Sequence, residues 1–188
     1  MLGTSGASVV MRAKSDISAR RPPWTWLVLY VSVLYASAPF TPALAEALEA
    51  SVSGRVLLAA VALMAVAALV PLAMRLAGAR RGRVPVGQLL LIGGLYAAVW
   101  SGLCQGAVEG VHLAQYGLMS LLALRASREM VSLPVAYGGA VLLTVGASWG
   151  NELIQSTLPN RVYDLRDVAL DGISALLAVM VVWQVERS

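Results

Sequence analysis

Long apolar runs broken by short basic segments constrain this chain more than any other feature. A bilayer is crossed by a helix of about 17–25 mostly apolar residues. Six runs approach that length: roughly Trp24–Ser37 extended toward Ala45, Val56–Met74, Val86–Leu103, Val108–Leu124, Leu133–Gln155 and Val168–Val185. Of the 188 residues 59% are apolar and 13% charged, which is more hydrocarbon than a soluble fold of this length can hide. Helix is the expectation for every run, because an open sheet leaves backbone groups unsatisfied in hydrocarbon. The expected fold is therefore all-α, a polytopic transmembrane bundle of about six spans. No internal repeat or second domain is visible. Residues 1–23 read as a mobile basic cytoplasmic tail, and 24–188 as a single transmembrane domain.

The basic residues orient the spans. With the N-terminus inside, the cytoplasmic segments hold Arg12, Lys14, Arg20, Arg21, Arg75, Arg80, Arg81, Arg83, Arg125, Arg128 and Arg187. Only Arg55, Arg161 and Arg166 fall outside, and the positive-inside rule then selects N-in and C-in. Most acids lie toward the outer side, which insertion rules do not require. A second reading takes residues 12–45 as a signal peptide cleaved after Ala43-Leu44-Ala45; it leaves five spans and the same outer face. The net charge of +4 does not indicate a nucleic-acid partner, since the basic residues occupy tails and loops between apolar runs.

One cysteine, Cys104, and one histidine, His112, exclude a disulfide framework and a three-histidine zinc centre. No Gly-rich phosphate loop follows a strand, and a catalytic Ser or Cys triad has no support. No metal and no cofactor are expected. Gly102, Gly106 and Gly110, and Gly146 and Gly150, recur every four residues and form flat strips for close helix approach. Such strips serve packing within the chain, a homodimer or a membrane-protein partner; packing within the chain is favoured. Pro71 should kink the second span, whereas Pro134 falls in a first turn, where proline is tolerated. Trp24 and Trp26 suit an interfacial belt.

The informative polar residues gather near the outer boundary. Glu152 and Gln155 share one helical face, Asp167 and Asp171 another, and Glu109, His112 and Tyr116 a third. Glu109 and Asp167 suit helix N-termini, where the dipole favours a carboxylate. Glu152 lies near a helix C-terminus, where the dipole disfavours it, so it needs a cation such as Arg161, or a ligand. Asp171 sits about 6 Å deeper than Asp167 and needs a partner among Arg161, Arg166 and His112. His112 beside carboxylates is a candidate proton carrier.

These residues resemble the VanZ-like family of small bacterial membrane proteins. The family's C-terminal signature is matched by Glu152, Gln155, Pro159, Arg161, Asp167 and Gly172, and its upstream motif by Glu109, His112 and Tyr116. The two motifs cover roughly residues 108–125 and 150–175. The chain departs from the pattern at Asn151, where Asp is frequent, at Asp171, where Asn is frequent, and at Gly110, where Lys is common. The resemblance implies a multi-pass protein of the bacterial cytoplasmic (inner) membrane, in a family whose name-giving members reduce susceptibility to teicoplanin, a glycopeptide acting at the cell envelope.

The leading expectation is an outward-facing pocket for a polar headgroup: a lipid-linked sugar, a peptidoglycan fragment or a phospholipid. Glu152, Gln155, Arg161, Asp167 and Asp171 would line it, with Glu109, His112 and Tyr116 alongside. Arg161 is the candidate for an anionic group, because a guanidinium fork suits phosphate or carboxylate. A second expectation is an accessory subunit of a larger membrane assembly, its polar cluster an internal strut. A proton-coupled carrier ranks last, because no polar chain crosses to the cytoplasmic side. The sequence names no nucleophile or leaving group, so whether the protein is an enzyme stays open.

Overall fold

A computed structural model of the chain describes residues 23–51, 56, 86–103, 107–159 and 161–187. Every regular element among them is helical. Helix α1, Pro23–Ser37, opens on proline, whose missing N–H costs nothing in a first turn. Its ladder tightens into a 3₁₀ turn at Ala38–Phe40, where Pro39 cannot donate. The chain then resumes as α2, Thr41–Ser51. The hydroxyls of Ser37 and Thr41 donate to the carbonyls of Leu34 and Ser37, at 2.8 and 3.1 Å. The first apolar run is thus two helices joined by a tightened turn, and it reaches beyond Ala45.

Helices α3, Val86–Leu103, and α5, Leu133–Gln155, have the bounds expected from their apolar runs. Pro134 falls in the first turn of α5, as expected. Helix α4, Ala107–Ser127, and α6, Leu165–Arg187, extend beyond their runs at both ends. Apart from Ala107, Ala126 and Leu165 the added residues are polar, which is why the apolar runs stop short of them. The expected second span and its Pro71 lie outside the described residues apart from Val56, as does most of the N-terminal tail.

Helices α4, α5 and α6 pack against one another, with α1 against α4 and α5, and α3 against α6. Small residues make this possible. Ala136, Ala140, Thr144 and Ser148 of α5 are buried at intervals of four, and Ser120 and Ala123 of α4 and Ser174, Ala175 and Ala178 of α6 are buried as well. Tyr116, Met119, Leu121, Leu124 and Val182 fill the remaining space. Three tyrosines pin the outer helices to this centre. Tyr30 and Tyr35 of α1 donate to the carbonyls of Gln115 and Ala147, at 3.0 and 2.8 Å, and Tyr96 of α3 donates to that of Ser174 at 2.9 Å. A helical carbonyl has a second lone pair for such a bond.

Two of the strip glycines seat aromatic rings from the same chain. A side chain at Gly110 would overlap the ring of Trp100, and one at Gly150 would meet the Tyr35 hydroxyl at 2.5 Å. Gly102 and Gly146 face nothing within 4 Å.

The distribution of polarity is the reverse of a water-soluble domain. Leu90, Leu91, Val33, Val135 and Leu142 are exposed, while Ser148, Asn151, Glu152, Gln155 and Asp171 are buried. Two stretches, Trp24–Ala43 and Leu133–Gln155, are long and apolar enough to cross a membrane, and they are the only such stretches among the described residues. The six expected spans are therefore met as helices over five runs, and by span-like length and apolarity over two.

At the end of the bundle holding the α4 C-terminus, Arg128 pairs with Glu186, whose second oxygen accepts from the Tyr137 hydroxyl at 2.6 Å. Arg187 stacks on Trp183, 3.9 Å from the ring centre. The Trp24 indole N–H points at the Met130 sulfur, 3.0 Å away.

Candidate functional site

At the opposite end, the first turns of α4, the last turns of α5 and the first turns of α6 converge. His112 and Tyr116 come from α4, Ser148, Asn151, Glu152 and Gln155 from α5, and Asp171 from α6, and all seven are buried. The expected i, i+3 and i, i+4 faces are therefore turned toward one another.

Asp171 is 1% exposed. Its Oδ2 accepts from the Ser148 hydroxyl at 2.5 Å, and its Oδ1 lies 3.7 Å from His112 Nδ1, a charge-pair separation beyond hydrogen-bond reach. His112 is thus the expected partner that Asp171 finds. Ser148 is a partner that sequence reasoning missed, although its place four residues before Glu152 on the small-residue face of α5 was a signal for it.

Glu152 is 2% exposed, and its Oε2 accepts from the backbone N–H of Asp164 at 3.1 Å. Among the described residues neither Arg161 nor any other cation pairs with it. Glu152 instead ties the 156–164 connection down onto the bundle. Asp164 in turn caps α6: its Oδ1 accepts from the N–H of Arg166, the second helical residue, at 2.8 Å. Asp167 follows in the first turn of α6, where the dipole favours a carboxylate, as expected. Glu109 is the third residue of α4; its side chain lies outside the described residues.

Arg161 is partly buried in the connection and makes no ion pair among the described residues. Its Nε is enclosed without a hydrogen-bond partner. Four further enclosed atoms have none: His112 Nδ1, Tyr116 Oη, Asn151 Oδ1 and Asp171 Oδ1. The His112 and Tyr116 rings are neighbours, with centres 5.8 Å apart. Each such atom costs about 1–3 kcal/mol, and native interiors rarely leave one without a reason. The set is chemically mixed. Histidine and tyrosine can donate, whereas the amide oxygen and the carboxylate only accept. A group that both donates and accepts, such as a hydroxyl, complements it better than a bare anion. The Arg161 guanidinium is the complement for an anion. Among the described residues, no group of three or more His, Cys, Asp or Glu side chains is arranged to hold a metal ion.

No family model, curated protein or solved structure matches this chain.

Proposed function

We propose that the chain is a multi-pass protein of the bacterial inner membrane, of the VanZ-like kind, whose polar end receives a polar headgroup at the outer face. The observation that carries the reading is the set of enclosed polar atoms without a hydrogen bond: Tyr116 Oη and Asn151 Oδ1, and beside them His112 Nδ1 and Asp171 Oδ1, which face each other at 3.7 Å, drawn from three helices. Exposed apolar side chains on α1, α3 and α5 support the membrane setting, since a lipid solvent accepts them and water does not. Arg161 would engage a phosphate or carboxylate, and the mixed set on the three helices the hydroxyls of a sugar or polyol. A lipid-linked sugar, an envelope glycan fragment and a phospholipid all offer such groups. The reading requires no reaction.

The test is gentle purification of the full chain from native membranes, followed by mass spectrometry of what stays bound. A stoichiometric lipid or glycolipid, lost from Arg161→Ala, is expected. Retention at the unsubstituted level in that variant would overturn the role of Arg161.

The internal bonds of Glu152 and Asp171 favour a second reading, in which the polar end is a strut inside an accessory subunit of a larger assembly. In that case Glu152→Gln lowers folded yield before any binding is lost, and membrane-protein partners co-purify without a small ligand.

A further inference from the structure

A second feature lies on a different face, away from the polar end. Trp26, Leu29, Tyr30 and Val33 of α1 and Leu122 and Arg125 of α4 line a groove of about 340 Å³. From Trp26 to Val33 it runs roughly 10 Å along α1, about two-thirds of the ~15 Å hydrocarbon depth of one leaflet. Its walls are apolar and open: Trp26, Leu29 and Val33 are all exposed. The Tyr30 hydroxyl is turned away into its bond with the Gln115 carbonyl.

Among the described residues one charge stands on this groove. Arg125 is exposed in the last turn of α4 and makes no ion pair or ring contact among the described residues. The other arginines described near this end are engaged, Arg128 with Glu186 and Arg187 with Trp183. An unpaired guanidinium at the end of an apolar groove is complementary to a molecule with a hydrocarbon chain and an anionic head. A lipid without a phosphate or carboxylate would leave the charge without a counter-ion, a zwitterionic lipid brings its own cation beside the phosphate and so compensates Arg125 less, and a soluble anion would leave the apolar walls uncovered.

We infer that this groove is a binding site for an anionic phospholipid, its acyl chain along Leu29 and Val33 and its phosphate at Arg125. The site rests on the membrane setting proposed above but not on the headgroup reading of the polar end, and either can fail alone.

The test uses the full chain in bilayers holding equal amounts of phosphatidylglycerol and phosphatidylcholine with identical acyl chains, with retained lipids counted by native mass spectrometry. The unsubstituted protein should retain phosphatidylglycerol about fivefold over phosphatidylcholine, the weight of one basic residue near an anionic surface. Arg125→Gln removes an exposed, unpaired charge, so it should fold normally and retain the two lipids equally. Leu29→Trp, which fills the groove, should reduce retention of both, whereas Leu142→Trp, on an exposed position of α5, should leave retention unchanged. Equal retention by the unsubstituted protein, or a preference that survives Arg125→Gln, overturns the inference. So does a Leu29→Trp protein that loses folded yield or assembly while its lipid retention is unchanged, because protein rather than lipid then covers the groove.

Discussion

Replacing Ser148 by alanine tests the polar end most directly. Ser148 Oγ donates to Asp171 Oδ2 at 2.5 Å, and Asp171 Oδ1 has no hydrogen-bond donor of its own. The substitution therefore leaves a carboxylate that is 1% exposed with no donor on either oxygen. A hydrogen bond between helices in a membrane is worth about 0.6 kcal/mol on average and at most about 1.7 when measured by double-mutant cycles. A bond to a charged group contributes about 1.5–3 kcal/mol. Ser148→Ala should therefore destabilise the bundle by about 1.5–3 kcal/mol, roughly 10- to 150-fold in the unfolding equilibrium. Reversible unfolding in bicelles, by steric trapping or detergent titration, would measure it. Ser148→Thr keeps the hydroxyl and should recover most of the loss. In an Asp171→Asn background the same alanine substitution should cost only about 0.6 kcal/mol, since the lost bond is then neutral. An equal cost in both backgrounds would refute the argument, because Asp171 would then be held as a neutral acid rather than a carboxylate.

Two further outcomes follow from the packing and from the connection. Gly110→Ala places a methyl against the Trp100 ring; overpacking of this kind costs about 1–3 kcal/mol, whereas Gly138→Ala, with nothing within 4 Å, should be neutral or slightly stabilising in the same unfolding assay. Glu152→Ala removes the acceptor for the Asp164 N–H, so hydrogen exchange at that amide should accelerate at least about tenfold with α5 protection unchanged; Glu152→Gln keeps an acceptor and should exchange slowly, and equal exchange in all three proteins would remove Glu152 as the tie on this connection.

Much of the helical layout was legible because hydropathy and helix length are local. The runs Val86–Leu103 and Leu133–Gln155 are bounded by polar or turn-forming residues, and α3 and α5 stop there. The spacing of Glu152 with Gln155, and of His112 with Tyr116, placed each pair on one face because a helix repeats every 3.6 residues. The expectation for Asp167 as a first-turn acid also rested on a local effect, the helix dipole. The joint at Ala38–Phe40 was less legible, because hydropathy runs through it unbroken while Pro39 interrupts only the backbone bonding.

Which polar groups meet is a different question. Sequence spacing could offer Glu152 a cation, but only the return of the connection onto the bundle brings the Asp164 N–H to it. Ser148 and Asp171 lie 23 residues apart on two helices, and His112 on a third. Their meeting depends on how α4, α5 and α6 rotate about their own axes, which the small-residue faces of all three decide together. Gly110 and Gly150 illustrate the same limit, since their four-residue spacing suits a partner of either kind and only the packed bundle turns them toward Trp100 and Tyr35. The sequence by itself determined that this chain is helical, where most of its helices run and which residues share a face, because those properties depend on neighbours along the chain. The pairing of faces, the partners of the buried acids and the unpartnered atoms left between them were decided only by the tertiary structure, because they depend on helix rotation and close approach across long sequence separations.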